Sequence, residues 1–428
     1  MLKQLLLAGI CAYLIPHNAL AQTEQMDTLR LGVKQAERIF LEKNLQLIAK
    51  QYNIEANKAL ILQAKLWDNP VLNTDQNVYS NSKFFEHGTD LVTGAPIGQY
   101  YIQLQQLIKT AGKRGKLIKL AHTNAEISEW EFKDLMKNLR YELHNDFYTL
   151  MQLQSVQQLY NDELTQINKL LTGMNAEYKL GNISQKDLLR VQALQISLLQ
   201  DATENNKKMD DTHAELKTLL QFSGTAYIKP IQSDETAPMV PDIPLAEMIE
   251  TAKQNNTYYH LQQLQLKYNQ QDLRYQKAMA VPDVTISPNY DKNSNYTPNY
   301  VGVGISFPIP LINRNQGNIK AARWQVKSGE ANLQLAETEL SNNVLSAYNK
   351  LKYIVQLNNN LQSDFYSNYT ILYNNVVQSY KDRQLSMVEF IDYFEAYKDS
   401  RQKQFQQQLN LQLAKDELNM QVGTDVVQ

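Results

Sequence analysis

The chain has 428 residues and carries 42 Lys and Arg against 44 Asp and Glu, a formal net charge of −2. That balance leaves no basic footprint for a nucleic-acid partner. The single cysteine, Cys11, excludes a disulfide framework within the chain.

Residues 1–21 read as a secretory signal. Lys3 supplies the positive start, Leu5 to Ile15 an apolar run, and Ala19-Leu20-Ala21 an A-x-A cleavage site, so the mature chain is expected to begin at Gln22. The apolar run is too short to span a bilayer. Cys11 lies inside it, and bulky Ile10 stands where a lipidation signal needs a small residue, so Cys11 is expected to be discarded. No later stretch is apolar and long enough for a spanning helix. The exported chain is therefore periplasmic, secreted, or inserted as a β-barrel.

Proline is scarce and clustered: none lies between Pro96 and Pro230 or after Pro310. Proline-free intervals of that length predict long helices. The same series of elements is expected twice. A first helix over Leu31–Trp67 is followed by strands at about 71–80 and 99–108, then by a long helix over Leu117–Leu171. The second series has a helix over Leu245–Met279, strands at about 284–293 and 300–309, and a long helix over Ile319–Ser379 that should run unbroken. Each long helix could extend roughly 80–90 Å at 1.5 Å per residue. Its narrow apolar stripe (Leu135, Leu139, Leu143, Phe147, Leu150, Leu153) suits coiled-coil-like packing.

Three matches at a common offset of 202 argue for duplication. "GKRGKLIKLA" aligns with "RNQGNIKAAR", placing Gly115 on Gly317. "YKLGNISQKDLL" aligns with "YKDRQLSMVEFI", and "AELKTLLQ" with "DELNMQVG". The repeats are assigned to 22–223 and 245–428, with a proline-rich linker at 224–244.

The strands are near the length a tilted strand needs to cross a bilayer. In "VGVGISFPIPLINRNQGNIKAA" (301–322), Val301, Val303, Ile305 and Phe307 share one parity suited to lipid, and Gly302, Gly304 and Ser306 the other, suited to water. Four strands cannot close a barrel, and open edges are not tolerated in lipid, so other copies of the chain must complete it.

The layout, the "FPIPLINRNQGNIKAA" junction and the paired "YKLGNIS" and "YKDRQLS" turns resemble the TolC-like outer membrane efflux proteins, most closely the branch serving cobalt–zinc–cadmium and copper efflux. The resemblance covers nearly the whole mature chain. It implies a mainly α fold with a small β part, built from a duplicated helix–strand pair–long helix–turn–helix unit. Three chains would form a 12-stranded transmembrane β-barrel continued by a periplasmic α-helical tunnel. It also implies an outer membrane location, a homotrimer touching outer membrane lipid, a periplasmic membrane fusion (adaptor) protein and an inner-membrane RND-type pump as partners, and passive export of metal cations or drugs.

The resemblance assigns roles by position. Tyr178, Leu180, Gly181, Ile183, Ser184 and Ser386 match the adaptor-docking tips. Arg383 departs from the pattern by replacing a glycine. Glu389 and Asp392 match the pore constriction, and three residues apart they share a helix face. Asp187 and Tyr380 match a closed-state latch, and Leu385 lacks the basic group of a second one. Gly115, Pro308, Pro310 and Gly317 mark the barrel-to-helix junction, near which the basic residues of "GKRGK" are expected to meet the membrane–periplasm boundary.

No nucleophile–base set, P-loop or dinucleotide fingerprint is present, the histidines are scattered, and neither an enzyme, a cofactor nor a metal site is expected. A protein-secretion duct and a periplasmic coiled-coil scaffold without a pore are the alternative readings. The scaffold leaves four amphipathic strands unexplained.

Overall fold

A computed structural model describes residues 28–427 except 81, 232–242 and 361–363. The signal segment with Cys11, and most of the linker, fall outside the described residues. The linker's first part is not a loop: β8 (Tyr227–Pro230) pairs in parallel with β1 (Thr28–Leu31).

The expected first helix of each series is two helices, and in both the break is an asparagine. In the first repeat α1 (Val33–Lys43) meets α2 (Leu45–Lys65) at Asn44, and in the second α5 (Leu245–Asn255) meets α6 (Thr257–Met279) at Asn256. Both asparagines are extended, with ψ of 115° and 122°. Asn44 Oδ1 accepts from the Gln46 and Leu47 amides, and its Nδ2 donates to the Leu219 carbonyl at 3.0 Å. Asn256 Oδ1 accepts from the Tyr259 amide, and its Nδ2 donates to the Gln421 carbonyl at 3.0 Å. A side chain that caps the next helix while filling an orphan carbonyl at another helix's end makes the break stable although it is buried.

The strands follow. β2 (Val71–Gln76) is shorter than expected, because the chain leaves the ladder at Asn77. A long connection then holds two small ladders, β3 (Tyr79–Ser80) with β4 (Lys83–Phe84) and β5 (Gly88–Thr89) with β6 (Pro96–Ile97). β7 (Tyr100–Ile108), β9 (Val284–Asn293) and β10 (Pro298–Ser306) complete a four-stranded sheet in the order β10-β9-β7-β2, antiparallel throughout. β9 carries Pro288 in mid-strand, and the β7–β9 ladder skips from Gln103–Asn289 to Gln106–Ile286 there. A residue without an N–H leaves that gap.

α3 (Lys113–Lys179) is one helix of 67 residues, about 100 Å long. A turn joins it to α4 (Gln185–Leu219). In the second repeat α7 (Gln316–Asn360) and α8 (Phe365–Lys381) lie on either side of residues 361–363, and α8 starts afresh after Asp364, so an unbroken helix over 319–379 is not what the described residues show. α9 (Met387–Val422) returns.

The apolar residues form three clusters along the length, as narrow-striped long helices require. One, around Val191, Leu198, Phe390 and Phe394, joins α3, α4, α8 and α9 near their turns. A second, around Phe40, Leu143, Phe147 and Leu216, sits at the Asn44 break. The third, around Met248, Val344, Leu351 and Leu418, sits at the Asn256 break.

Candidate functional site

The sheet has two unlike faces. Register places Asn73, Gln103, Asn289 and Gly302 in one row across the four strands, and Val71, Gln105, Ser287 and Gly304 in the next. The opposite face holds Leu72, Leu104, Pro288 and Val303, then Thr74, Ile102, Tyr290 and Val301. The second face is largely apolar yet open: Val301 is 75 % exposed, Val303 68 % and Ile305 66 %. A hydrophobic parity left this exposed suits lipid, while the amide row suits water. Among the described residues no helix is long and apolar enough to cross a membrane.

At the base of the sheet four helix ends meet. Lys113, the first residue of α3, is buried and donates to Asp283 Oδ1 at 2.8 Å and to the Val281 carbonyl at 2.6 Å. The Thr110 amide donates to the same carboxylate oxygen at 2.8 Å. Arg114 Nε and Nη2 donate to the Lys65 carbonyl at 3.0 and 2.7 Å, closing the end of α2. Asn315 Nδ2 donates to the Gln276 carbonyl at 2.8 Å, tying the start of α7 to the end of α6. The expected junction residues lie here. Gly115 and Gly317 fall in the first turns of α3 and α7, where a Cβ would meet open space, so neither is needed for room. Pro308 and Pro310 follow the last residue of β10, beyond the ladder, where no donor is needed, whereas the continuation of β7 has no proline.

The two tips share one geometry. At the first, Leu180 caps α3, the Gly181 amide donates to the Tyr178 carbonyl at 2.9 Å, and the Asn182 amide donates to the Glu177 carbonyl at 2.9 Å. Ser184 then caps α4, accepting from the Asp187 amide at 3.1 Å. Ile183 packs on the apolar cluster, and Tyr178 and Leu180 are exposed. At the second, the Arg383 amide donates to the Tyr380 carbonyl at 3.0 Å and the Gln384 amide to the Ser379 carbonyl at 2.8 Å. Ser386 caps α9 through a capping box with Glu389. The tips are joined: Arg383 Nη2 donates to Glu177 Oε2 at 2.5 Å.

Glu389 Oε2 accepts from the Ser386 amide at 2.9 Å and from its hydroxyl at 2.7 Å. Those bonds hold its carboxyl below the usual range. Asp392 is exposed one turn further on the same helix. Within one protomer Tyr380 stacks on Phe390, with ring centroids 4.7 Å apart, and its hydroxyl makes no hydrogen bond to Asp187. Asp187 accepts instead from the Ser184 hydroxyl at 2.7 Å. Burial pushes the Tyr380 phenol up, and the Asp187 carboxylate adds to that push.

Three features have little or no signal in the sequence. Glu163, on α3, is 2 % exposed with both carboxyl oxygens unpartnered, and burial pushes it up to about 8 against the opposing Lys398. His144 bridges Asp416 at 3.0 Å and Glu37 at 2.7 Å, and Arg140 reaches Glu37 at 2.6 Å. Burial opposes the charge on His144, but the two carboxylates outweigh it and raise the imidazole to about 9. The asparagine breaks are the third; their only signal is an Asn before a run of helix formers in "EKNLQL" and "QNNTYYHL". Among the described residues no group of three or more His, Cys, Asp or Glu is arranged to hold a metal ion.

With this geometry in place the comparisons are specific. Residues 248–419 match the family described as outer membrane efflux protein. The chain is similar to the cobalt-zinc-cadmium resistance protein CzcC of Cupriavidus metallidurans, 20 % identical over 350 residues that span 79 % of this chain and 80 % of that one. Its fold is similar to the CmeC outer membrane channel of Campylobacter jejuni, with TM-score 0.74 and 12 % identity over 92 % of this chain and 86 % of that one. It is also similar to CusC, solved in a study of folding and transmembrane channel formation, with TM-score 0.68 and 14 % identity over 92 % of each chain.

Proposed function

We propose that the chain, whose residues 248–419 match the outer membrane efflux protein family, is the outer membrane exit duct of a tripartite efflux system, passing small solutes delivered from the inner membrane. One observation carries this reading: a four-stranded sheet, apolar on one face and polar on the other, with both edges open, continues directly into a helix of about 100 Å.

Three copies would join β10 of one chain to β2 of the next and leave no edge in lipid. The helices support the same arrangement. α4 packs chiefly on α3 and α8 chiefly on α9, so both stand at the margins of one protomer, and both expose apolar residues there: Leu189, Ile196 and Leu199 on α4, Phe365 and Leu372 on α8. A neighbouring copy would cover both margins.

The tips are where we place the docking of a periplasmic adaptor, on exposed Tyr178 and Leu180 beside the turns capped by Ser184 and Ser386. Trimerisation would gather Asp392, with Glu389 behind it, into a ring of carboxylates that favours cations. The ring and the metal-resistance function in CzcC's name together favour metal cations as cargo. Tyr380 and Asp187 would form a latch across helices of the closed tip. The duct is passive, and an inner-membrane pump supplies the energy.

Purified protein reconstituted in planar bilayers tests the proposal. It should run as a trimer and give discrete conductance steps that prefer cations over anions, and Asp392→Asn should reduce that preference. A monomer with no conductance would end the channel reading.

A further inference from the structure

Two stretches of the chain hold no acidic residue, 91–125 and 292–329. Each runs from a strand of the sheet, through the junction, into the first turns of a long helix. Both arrive at one level of the molecule, because Lys113 is fixed to the Val281 carbonyl and Asn315 to the Gln276 carbonyl, at the end of α6. Lys113 and Lys109 are matched by Asp283 and Asp68. Lys119, Arg314, Lys320 and Arg323 are exposed and have no carboxylate partner among the described residues.

Apolar and aromatic groups sit beside these cations. Phe307, Ile309, Leu311 and Ile312 are exposed in the segment that leaves β10, continuing the apolar parity of Val301–Ile305 beyond the ladder. Trp67 and Trp324 are each 60 % exposed and each lies under a cation: Arg114 at 4.7 Å from the Trp67 ring centroid, Lys327 at 5.1 Å from that of Trp324. Lys320, Trp324 and Lys327 share one face of α7. Trp67 stands between the end of α2 and the start of β2, beside the sheet, and Arg314, Lys320 and Arg323 follow the apolar segment that leaves β10. An apolar band edged by a tryptophan and unpaired cations is what meets the interface and headgroup phosphates at a bilayer surface.

We propose that this junction is a collar that binds anionic phospholipid headgroups of the periplasmic leaflet, with Arg314, Lys320 and Arg323 facing the phosphates and Trp67 seated at the interface. The occupant is the bilayer itself, because the collar is continuous with the sheet's apolar face and its charge has one sign. The inference rests on the outer membrane reading above.

The test uses the full-length trimer in phosphatidylcholine vesicles with and without phosphatidylglycerol. Insertion and conductance in phosphatidylcholine alone report on the channel reading. Lipid retained by the extracted trimer, identified by native mass spectrometry, reports on the collar. The wild type should retain phosphatidylglycerol above its share of the mixture. Arg314→Gln, Lys320→Gln and Arg323→Gln should each lower the enrichment, by roughly fivefold per cation removed. Lys320→Gln alone keeps the test valid if a variant carrying all three substitutions fails to assemble. Conductance with no enrichment would overturn the collar while leaving the channel intact. So would enrichment unchanged in the variants, or a trimer that falls apart on removal of the cations with its lipid content unaltered, which would place them against a neighbouring copy.

Discussion

Gly181 and Arg383 hold the same left-handed backbone conformation, with φ of +77° and +59°, at equivalent positions of the two tips. Glycine adopts it freely, and an arginine is strained there. What the arginine adds is its bond to Glu177. Replacing Arg383 by Gly or by Ala removes that bond in both cases, so the difference between the two variants isolates the backbone. Arg383→Gly should be more stable than Arg383→Ala by about 1 kcal/mol in urea unfolding of the detergent-solubilised protein.

Asn44 and Asn256 each serve two elements at once. Asn44→Ala and Asn256→Ala should each cost about 2–3 kcal/mol, combining a lost cap with a buried carbonyl left unmet. Asp at either position keeps the cap acceptor and loses the donor, and should not restore stability at neutral pH. Unfolding midpoints of the four variants check this.

Glu163 gives stability a definite dependence on pH. Its carboxyl lies at about 8 in the folded chain, above the ordinary 4.5. The stabilisation is therefore full below about pH 4.5 and is lost as pH rises through 8. Glu163→Gln should lessen the fall in thermal stability between those values, most clearly between pH 4.5 and 6.5, and leave the protein more stable than wild type at pH 9, by on the order of a few kcal/mol. A wild-type profile as flat as the variant's would refute this.

His144 works in a neighbouring window. Raised to about 9, it contributes stability that is full below its ordinary 6.5 and lost above 9. Burial opposes the charge on Glu37, but bonds from His144 and Arg140 win and lower it to about 2, so its contribution disappears only as pH falls through that value. His144→Gln should remove the part of the alkaline loss that continues above pH 8, where Glu163 no longer titrates, read from melting temperatures between pH 8 and 10.

The latch proposal predicts a gain of function. Tyr380→Phe keeps the stack on Phe390 and removes the hydroxyl, so single-channel conductance should rise. Conductance equal to wild type would count against the latch.

The strand alternation of β7 and β10, the chain directions and both tips were legible because they rest on local rules: parity, proline placement, and serine caps. The broken first helices were not, because an asparagine in a polar helix pattern looks like any other solvated residue until a distant carbonyl, at Leu219 or Gln421, gives its amide a purpose. Glu163 was illegible for a related reason. It follows Asn161 and Asp162 in sequence like one more solvated residue, and only the helices packed around it, which bring Lys398 and Asp201 near, take water away from it. The end of β2 at Gln76 depends on the small ladders that follow, where exposed Phe84 and Phe85 give no periodic signal. In the second long helix, expected to be continuous on absence of proline alone, α8 has its own start at Asp364, which no proline or cap side chain signals.

The pairing of β7 with β9 joins the last strand of one repeat's hairpin to the first strand of the other's. The free edges β10 and β2 present the same two roles, last strand and first. In the proposed trimer the seam between copies would be of the same kind as the seam already inside each chain, and the assembly would be a ring of equivalent hairpins cut at every second joint. Carrying two hairpins on one polypeptide would halve the number of bodies that must find one another before a bilayer could accept such a ring, and each encounter spared would be an unpaired strand edge that never has to wait in water.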